Sequence, residues 1–221
     1  MRIAECGKIG RTLVCFAVKE EAAPFRKRLG ATRGVEVLIT GMGRRNAERS
    51  IRNALQRGKQ DLVLTCGFAG GLRPGLESGT VLYESDDNPD LKKRLDASGA
   101  LSGQVLFSPR VATTAADKAA LWEHSKADAV EMESHAVRAI CRQRGIPSAT
   151  VRVVLDTAAE DLPLDFNRLM TADQKMSYAK LIAVLACSPA KIPALMRLQK
   201  QSRATAEKLA EVLLRFLQLD I

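Results

Sequence analysis

Aromatic side chains are scarce in this chain: one Trp, two Tyr and six Phe among 221 residues. Successive nucleobases therefore find few stacking platforms. That argues against nucleic-acid binding as the main function, although the net charge of +9 invites polyanions. The basic residues are also spread along the chain rather than gathered. Histidine is scarcer still, with only His124 and His135. The five cysteines (Cys6, Cys15, Cys66, Cys141 and Cys187) are odd in number, widely spaced and form no CxxC pair. A zinc site is disfavoured, and no metal or organic cofactor is expected. Buried thiols in a reducing cytoplasm are the expected state. No apolar run approaches the roughly 20 residues that a membrane span needs. The first ten residues lack a signal peptide's apolar core, so a cytoplasmic location is expected.

What is present is enough apolar residue, 46%, to bury a full core. The length suits one domain. The expected division is a core over about residues 11–170 and a helical extension over about 171–221. After a loose lead-in over residues 1–10, the chain alternates. Apolar, β-branched runs at Thr12–Val18, Val35–Thr40, Leu62–Cys66, Thr80–Glu84 and Gly103–Phe107 read as strands. Helix-like segments at Glu20–Leu29, Arg45–Arg57, Leu91–Ala97 and Ala115–Glu123 fall between them. Two glycine motifs follow strands: Gly41-Met42-Gly43 and Gly67-Phe68-Ala69-Gly70-Gly71. Each serves equally as a ligand edge or as a plain turn or β-corner. The tail holds two helices, Tyr178–Cys187 and Pro193–Leu217, broken at Ser188-Pro189. The last is amphipathic and basic, a core-capping or subunit-facing helix on its spacing.

The informative stretch runs from Asp128 to Asp161. An apolar run ends in Glu131 and Glu133, either side of Met132. A helix over Ser134–Arg144 stops at Gly145 and Pro147. A β-branched run, Thr150–Leu155, then ends at Asp156, apolar except for Arg152. Strand, helix, strand places three acids at the carboxyl ends of strands, where open α/β sheets bind ligands. If the first run is extended, Glu131 and Glu133 share a face opposite Met132. Two carboxylates side by side call for a donor, and the vicinal hydroxyls of a sugar would serve. On residues alone, Asp156 is also compatible with a helix cap, and Glu21 with a helix-start acid.

Together, Glu20-Glu21, Gly41-Met42-Gly43, Gly67–Leu72, Val130-Glu131-Met132-Glu133-Ser134 and Asp156 resemble the purine nucleoside phosphorylase/uridine phosphorylase superfamily. The likeness covers about Leu13 to Asp161. It is closer to the methylthioadenosine/S-adenosylhomocysteine nucleosidase branch. The tail Pro193–Arg203 is most similar to the hopanoid-associated phosphorylases, which release adenine from adenosylhopane. The resemblance implies a three-layer α/β sandwich with a mixed, twisted central sheet, extra C-terminal helices and a homodimer. It implies a small-molecule nucleoside substrate and a purine nucleosidase activity. Asp156 would then protonate the leaving purine at N7, and Glu21 would position and deprotonate the attacking water. Glu133 would grip the ribose diol, Met132 would pack on the sugar, and Glu131 would support the water or sugar side. Gly43, Phe68, Gly70 and Val111 complete the expected substrate contacts.

The departures from the pattern refine the substrate. Phe68 and Leu155 stand where the small nucleosidases carry serines. Thr65-Cys66 stand where phosphorylases carry a phosphate-binding arginine, and Glu21 would repel an oxyanion nucleophile. Hydrolysis is favoured, with phosphorolysis as the runner-up through Arg44. The segment between Tyr83 and Gly103 is short, which opens the 5′ side towards a bulky apolar substituent, even a lipid. From another class, a non-catalytic nucleoside-binding or membrane-surface scaffold would use the basic last helix on anionic lipid at the inner membrane face.

Overall fold

The computed structural model describes residues 10–30, 32–171, 173 and 177–219. All but the last residue of the expected lead-in, and Cys6 with it, lies outside the described residues. The central strands are β1 (Thr12–Phe16), β3 (Leu62–Gly71) and β8 (Ser148–Asp156), hydrogen-bonded in parallel. Outside β1 lies β2 (Val35–Ile39), also parallel. On the far side of β8, β4 (Val81–Ser85) runs antiparallel and carries the two-residue β5 (Leu101–Ser102). The path is β2-β1-β3-β8-β4-β5. The end of β3 also pairs with β7 (Ala129–Glu131), which pairs with β6 (Val105–Phe107). The sheet is mixed, as the resemblance implies.

Every residue of β1 is buried, as befits a strand covered on both faces. Its side chains alternate between two cores. Val14 and Phe16 join Phe25 of α1 (Lys19–Leu29), Leu95 of α3 (Pro89–Ser98) and Leu209 of α8 (Ile192–Gln218). Leu13 and Cys15 join Ile51 of α2 (Arg44–Arg57) and Val137 of α5 (Ser134–Gln143). Helices thus cover the sheet on both sides. Leu209, Leu213 and Phe216 are buried in the first core, each worth about 1.5–3 kcal/mol relative to exposure. Cys15, Cys66 and Cys141 are buried and unbridged, while Cys187 is exposed.

Two sequence expectations are corrected. The strand expected to close at Cys66 runs on through the glycine motif to Gly71, pairing with β8 as far as Asp156. The missing side chains explain it. A Cβ on Gly67 would sit 2.6 Å from Arg152 Nη1, and one on Gly71 3.2 Å from the Asp156 carbonyl oxygen. The strand expected over Gly103–Phe107 begins only at Val105, after the separate β5, and a Cβ on the intervening Gly103 would fall 2.9 Å from Asp128 Oδ2. After β8 the chain also forms a one-turn helix, α6 (Phe166–Leu169).

Candidate active site

The carboxyl ends of β1, β3, β7 and β8 open onto a cavity of about 450 Å³, within the range of small-molecule sites. Of the residues expected from the sequence, Glu21, Phe68, Gly70, Val111, Glu131, Met132, Glu133 and Asp156 all line it. Gly43 is the exception. Met42 lines the cavity instead, and the Gly43 amide donates to Glu133 Oε1 at 2.8 Å. With φ at +77°, Gly43 adopts a backbone conformation that suits glycine and aims that amide. Arg44 does not line the cavity either; it pairs with Glu48 one helical turn on.

Glu21 sits in the first turn of α1 and is buried. Its Oε2 accepts the Ala17 and Val18 amides at 3.1 and 3.2 Å, and its Oε1 accepts the Phe68 amide at 2.9 Å. The helix-start reading and the cavity position therefore coexist in one side chain. Burial pushes its pKa up, opposed by Arg152 and the three amides. The extra length of β3 is what brings Phe68 to this acid. A Cβ on Gly67 would fall 2.7 Å from Glu21 Oε1 and 2.6 Å from Arg152 Nη1.

The sequence suggested sugar hydroxyls as donors to Glu131 and Glu133, but the protein itself supplies several. Glu131 Oε2 accepts the Glu133 and Ser134 amides, each at 2.8 Å, and Arg152 Nη2 at 2.5 Å. Its Oε1 accepts the Ser134 hydroxyl at 2.7 Å. Glu131 thereby caps α5. Glu133 Oε2 lies 3.7 Å from the same Arg152 nitrogen. Burial raises the Glu133 pKa, with Arg152 opposing and Glu131 adding. Arg152 is 1% exposed. Buried charges of this kind are tolerated only when paired, and the two glutamates answer that need.

Asp156 ends β8 and is 6% exposed. It forms an ion pair with Lys118 of α4 (Ala115–Ser125), whose side chain is fully buried. Lys118 Nζ also donates to the carbonyls of Thr157 at 2.8 Å and Glu160 at 2.6 Å. Burial raises the Asp156 pKa and Lys118 opposes the rise. Sequence reasoning assigned no role to Arg152 or Lys118. A lone charge inside an apolar run signals the first, because a central strand must pair it. Nothing in Ala115–Glu123 signals the second. The outer cavity wall was also missed: Leu155, Leu162, Phe166, Met170, Leu195 and Leu198 line it, the last two from α8.

Comparison with known proteins shows what the chain is similar to. The family model described as the phosphorylase superfamily matches residues 101–187, which include β7, α5 and β8. The chain is 25% identical, over 79% of its length and 96% of the relative's, to a 5′-methylthioadenosine/S-adenosylhomocysteine nucleosidase of Geobacillus thermodenitrificans. It is 29% identical to the enzyme of that name from a Marinomonas species, over 62% of this chain and 74% of the relative. Its fold matches the native futalosine hydrolase of Helicobacter pylori with a TM-score of 0.70, at 16% identity, over 95% and 97% of the two chains. It also matches the H. pylori 5′-methylthioadenosine/S-adenosylhomocysteine nucleosidase bound to butyl-thio-DADMe-Immucillin-A. That TM-score is again 0.70, at 17% identity, over 95% and 98%.

Proposed function

We propose that the chain is a purine nucleosidase that hydrolyses the N-glycosidic bond of a 5′-substituted adenosine and releases adenine. The observation that carries the reading is the convergence of Asp156, Glu133 and Glu21 on one cavity from β8, the start of α5 and α1. Cleavage leaves positive charge on the sugar and the bonding pair on the base. Asp156 protonates the base as the C1′–N9 bond breaks. Glu133 accepts the ribose hydroxyls, with Met132 against the sugar. Glu21, fixed by three amides, takes a proton from the water that attacks C1′. General acid or base catalysis of this kind is worth roughly 10²- to 10⁴-fold.

Hydrolysis is favoured over phosphorolysis. A phosphate would face Glu21, and the Arg152 charge already meets Glu131 and Glu133. Adenine should appear without phosphate from at least one of several 5′-substituted adenosines, read by mass spectrometry. Release only when phosphate is added would overturn the hydrolytic reading. Asp156→Asn is expected to lower kcat by at least about 100-fold with the fold intact.

The apolar outer wall supports a bulky apolar 5′ group, and adenosylhopane, in hopanoid biosynthesis, is the specific substrate we propose. Ile192 and Met196 of α8 and Ile182 of α7 (Tyr178–Cys187) are exposed. Lys191, Arg197, Lys200 and Arg203 accompany them on the same stretch. Such a surface suits contact with anionic lipid at the cytoplasmic face. No helix among the described residues is long and apolar enough to cross a membrane. The same reading takes the chain as one nucleosidase-like domain acting as a homodimer. Liposome flotation of wild type against Ile192→Ser/Met196→Ser tests the lipid contact; equal flotation removes it from the account.

A further inference from the structure

The Lys118–Asp156 pair is the feature that the nucleosidase mechanism leaves unexplained. Lys118 reaches in from α4 through a fully buried side chain. Its ammonium has three acceptors: the Thr157 carbonyl at 2.8 Å, the Glu160 carbonyl at 2.6 Å and the Asp156 carboxylate. Two carbonyls and a carboxylate thus face the three N–H donors that an ammonium carries. The loop that provides both carbonyls is itself fastened, since Thr157 donates its amide to Glu160 Oε2 at 2.7 Å. Ala115, at the start of α4, donates to Asp161 Oδ1 at 2.7 Å. The ammonium favours the carboxylate form of Asp156 against the opposing pull of burial. Yet the leaving base needs a proton.

Resting on the nucleosidase reading, we propose that Lys118 is the source of the proton that Asp156 passes to the leaving base. The ion pair, rather than a lone carboxylic acid, is then the resting form of the acid. An N–H bond at Nζ breaks as an O–H bond forms at Asp156. That O–H bond breaks as the base nitrogen is protonated, and the C1′–N9 electron pair leaves with the base. Water adds its oxygen to C1′ and its proton to Glu21; Glu21 then releases that proton to solvent, and solvent returns one to the neutral amine through Asp156. The other charged groups around the pair are Glu160 on the adjoining loop, Arg110 on the cavity wall, and the cluster of Glu21, Glu131, Glu133 and Arg152.

The test is the pH dependence of kcat in Lys118→Met. The relay keeps the pair loaded at high pH, and without lysine Asp156 must hold the proton alone. The alkaline fall in kcat should therefore begin at least about one pH unit lower in the variant, a shift of the size a neighbouring charge produces. If Lys118 were only an electrostatic neighbour, its loss would let Asp156 keep its own proton longer, and the fall would begin at higher pH. Such an upward move, or an unmoved limb, overturns the proposal. A second measurement needs no variant: carboxyl-carbon NMR of Asp156 in the wild-type protein. An ionised Asp156 at the pH of full turnover is expected, and a protonated one there overturns the relay. Failure of the nucleosidase reading is seen separately, as absence of base release from every nucleoside by wild-type protein.

Discussion

Arg152 ties the candidate site together at the level of single residues. One guanidinium nitrogen lies 2.5 Å from Glu131 and 3.7 Å from Glu133. Arg152→Met would strand two buried carboxylates. Breaking a buried pair costs about 3–5 kcal/mol, and urea denaturation should show a loss of that size. Arg152→Lys should restore only part of it, because a point charge replaces a planar fork. Gly67 is equally constrained, since a methyl there meets Arg152 Nη1 at 2.6 Å and Glu21 Oε1 at 2.7 Å. Gly67→Ala is expected to lower kcat about 10²-fold, the scale of a 1 Å misplacement, with steady-state kinetics as the check. Glu131, Glu133 and Asp156 were legible in the sequence because each closes an apolar run, whereas Glu21 was picked out by the resemblance alone. Arg152 was visible as the odd charge in such a run, but its partners were not, since Glu131 and Glu133 lie on another strand and helix start. Lys118 was invisible, because only the fold turns it towards β8.

At the level of elements, α4 matters because it carries Lys118. Its N-terminus is closed by a reciprocal pair: Asp117 donates its amide to the Thr114 hydroxyl at 3.0 Å, and Thr114 donates its amide to Asp117 Oδ2 at 3.1 Å. Thr114→Ala should cost about 1 kcal/mol, measured by thermal melting. The last helix divides into two stretches with different roles. Phe216 is fully buried against the sheet, so Phe216→Ala should cost about 3–5 kcal/mol by the same measurement. Leu195 and Leu198, from its first turns, line the cavity. Apolar spacing identified this helix from sequence. It could not say which turns meet the core and which meet the cavity, since both stretches present apolar residues at the same spacing. The extension of β3 through three glycines was hidden for a related reason. Glycine reads as a turn until a neighbour is known to need the space.

Over the whole molecule, the sequence carried the alternation of strands and helices but not the strand order, which depends on long-range pairing such as β3 with β8. Charge acts at this scale too. Burial raises the folded-state pKa of Glu21, Glu133 and Asp156. Each holds its proton more tightly folded than unfolded. Their contribution to stability is full below the ordinary carboxylate range and is lost as pH rises through the raised values. Other groups being equal, Tm should fall between about pH 5 and about pH 8. Glu21→Gln, which has no charge to desolvate, should flatten that slope even if it lowers Tm overall. The distance along the chain between the parts of the site has one more consequence. Glu21 leaves the ribosome long before Arg152, Asp156 and the α8 wall exist. A chain cut short anywhere before Ile192 would carry Glu21 without a finished chamber, so no such product should cleave a nucleoside.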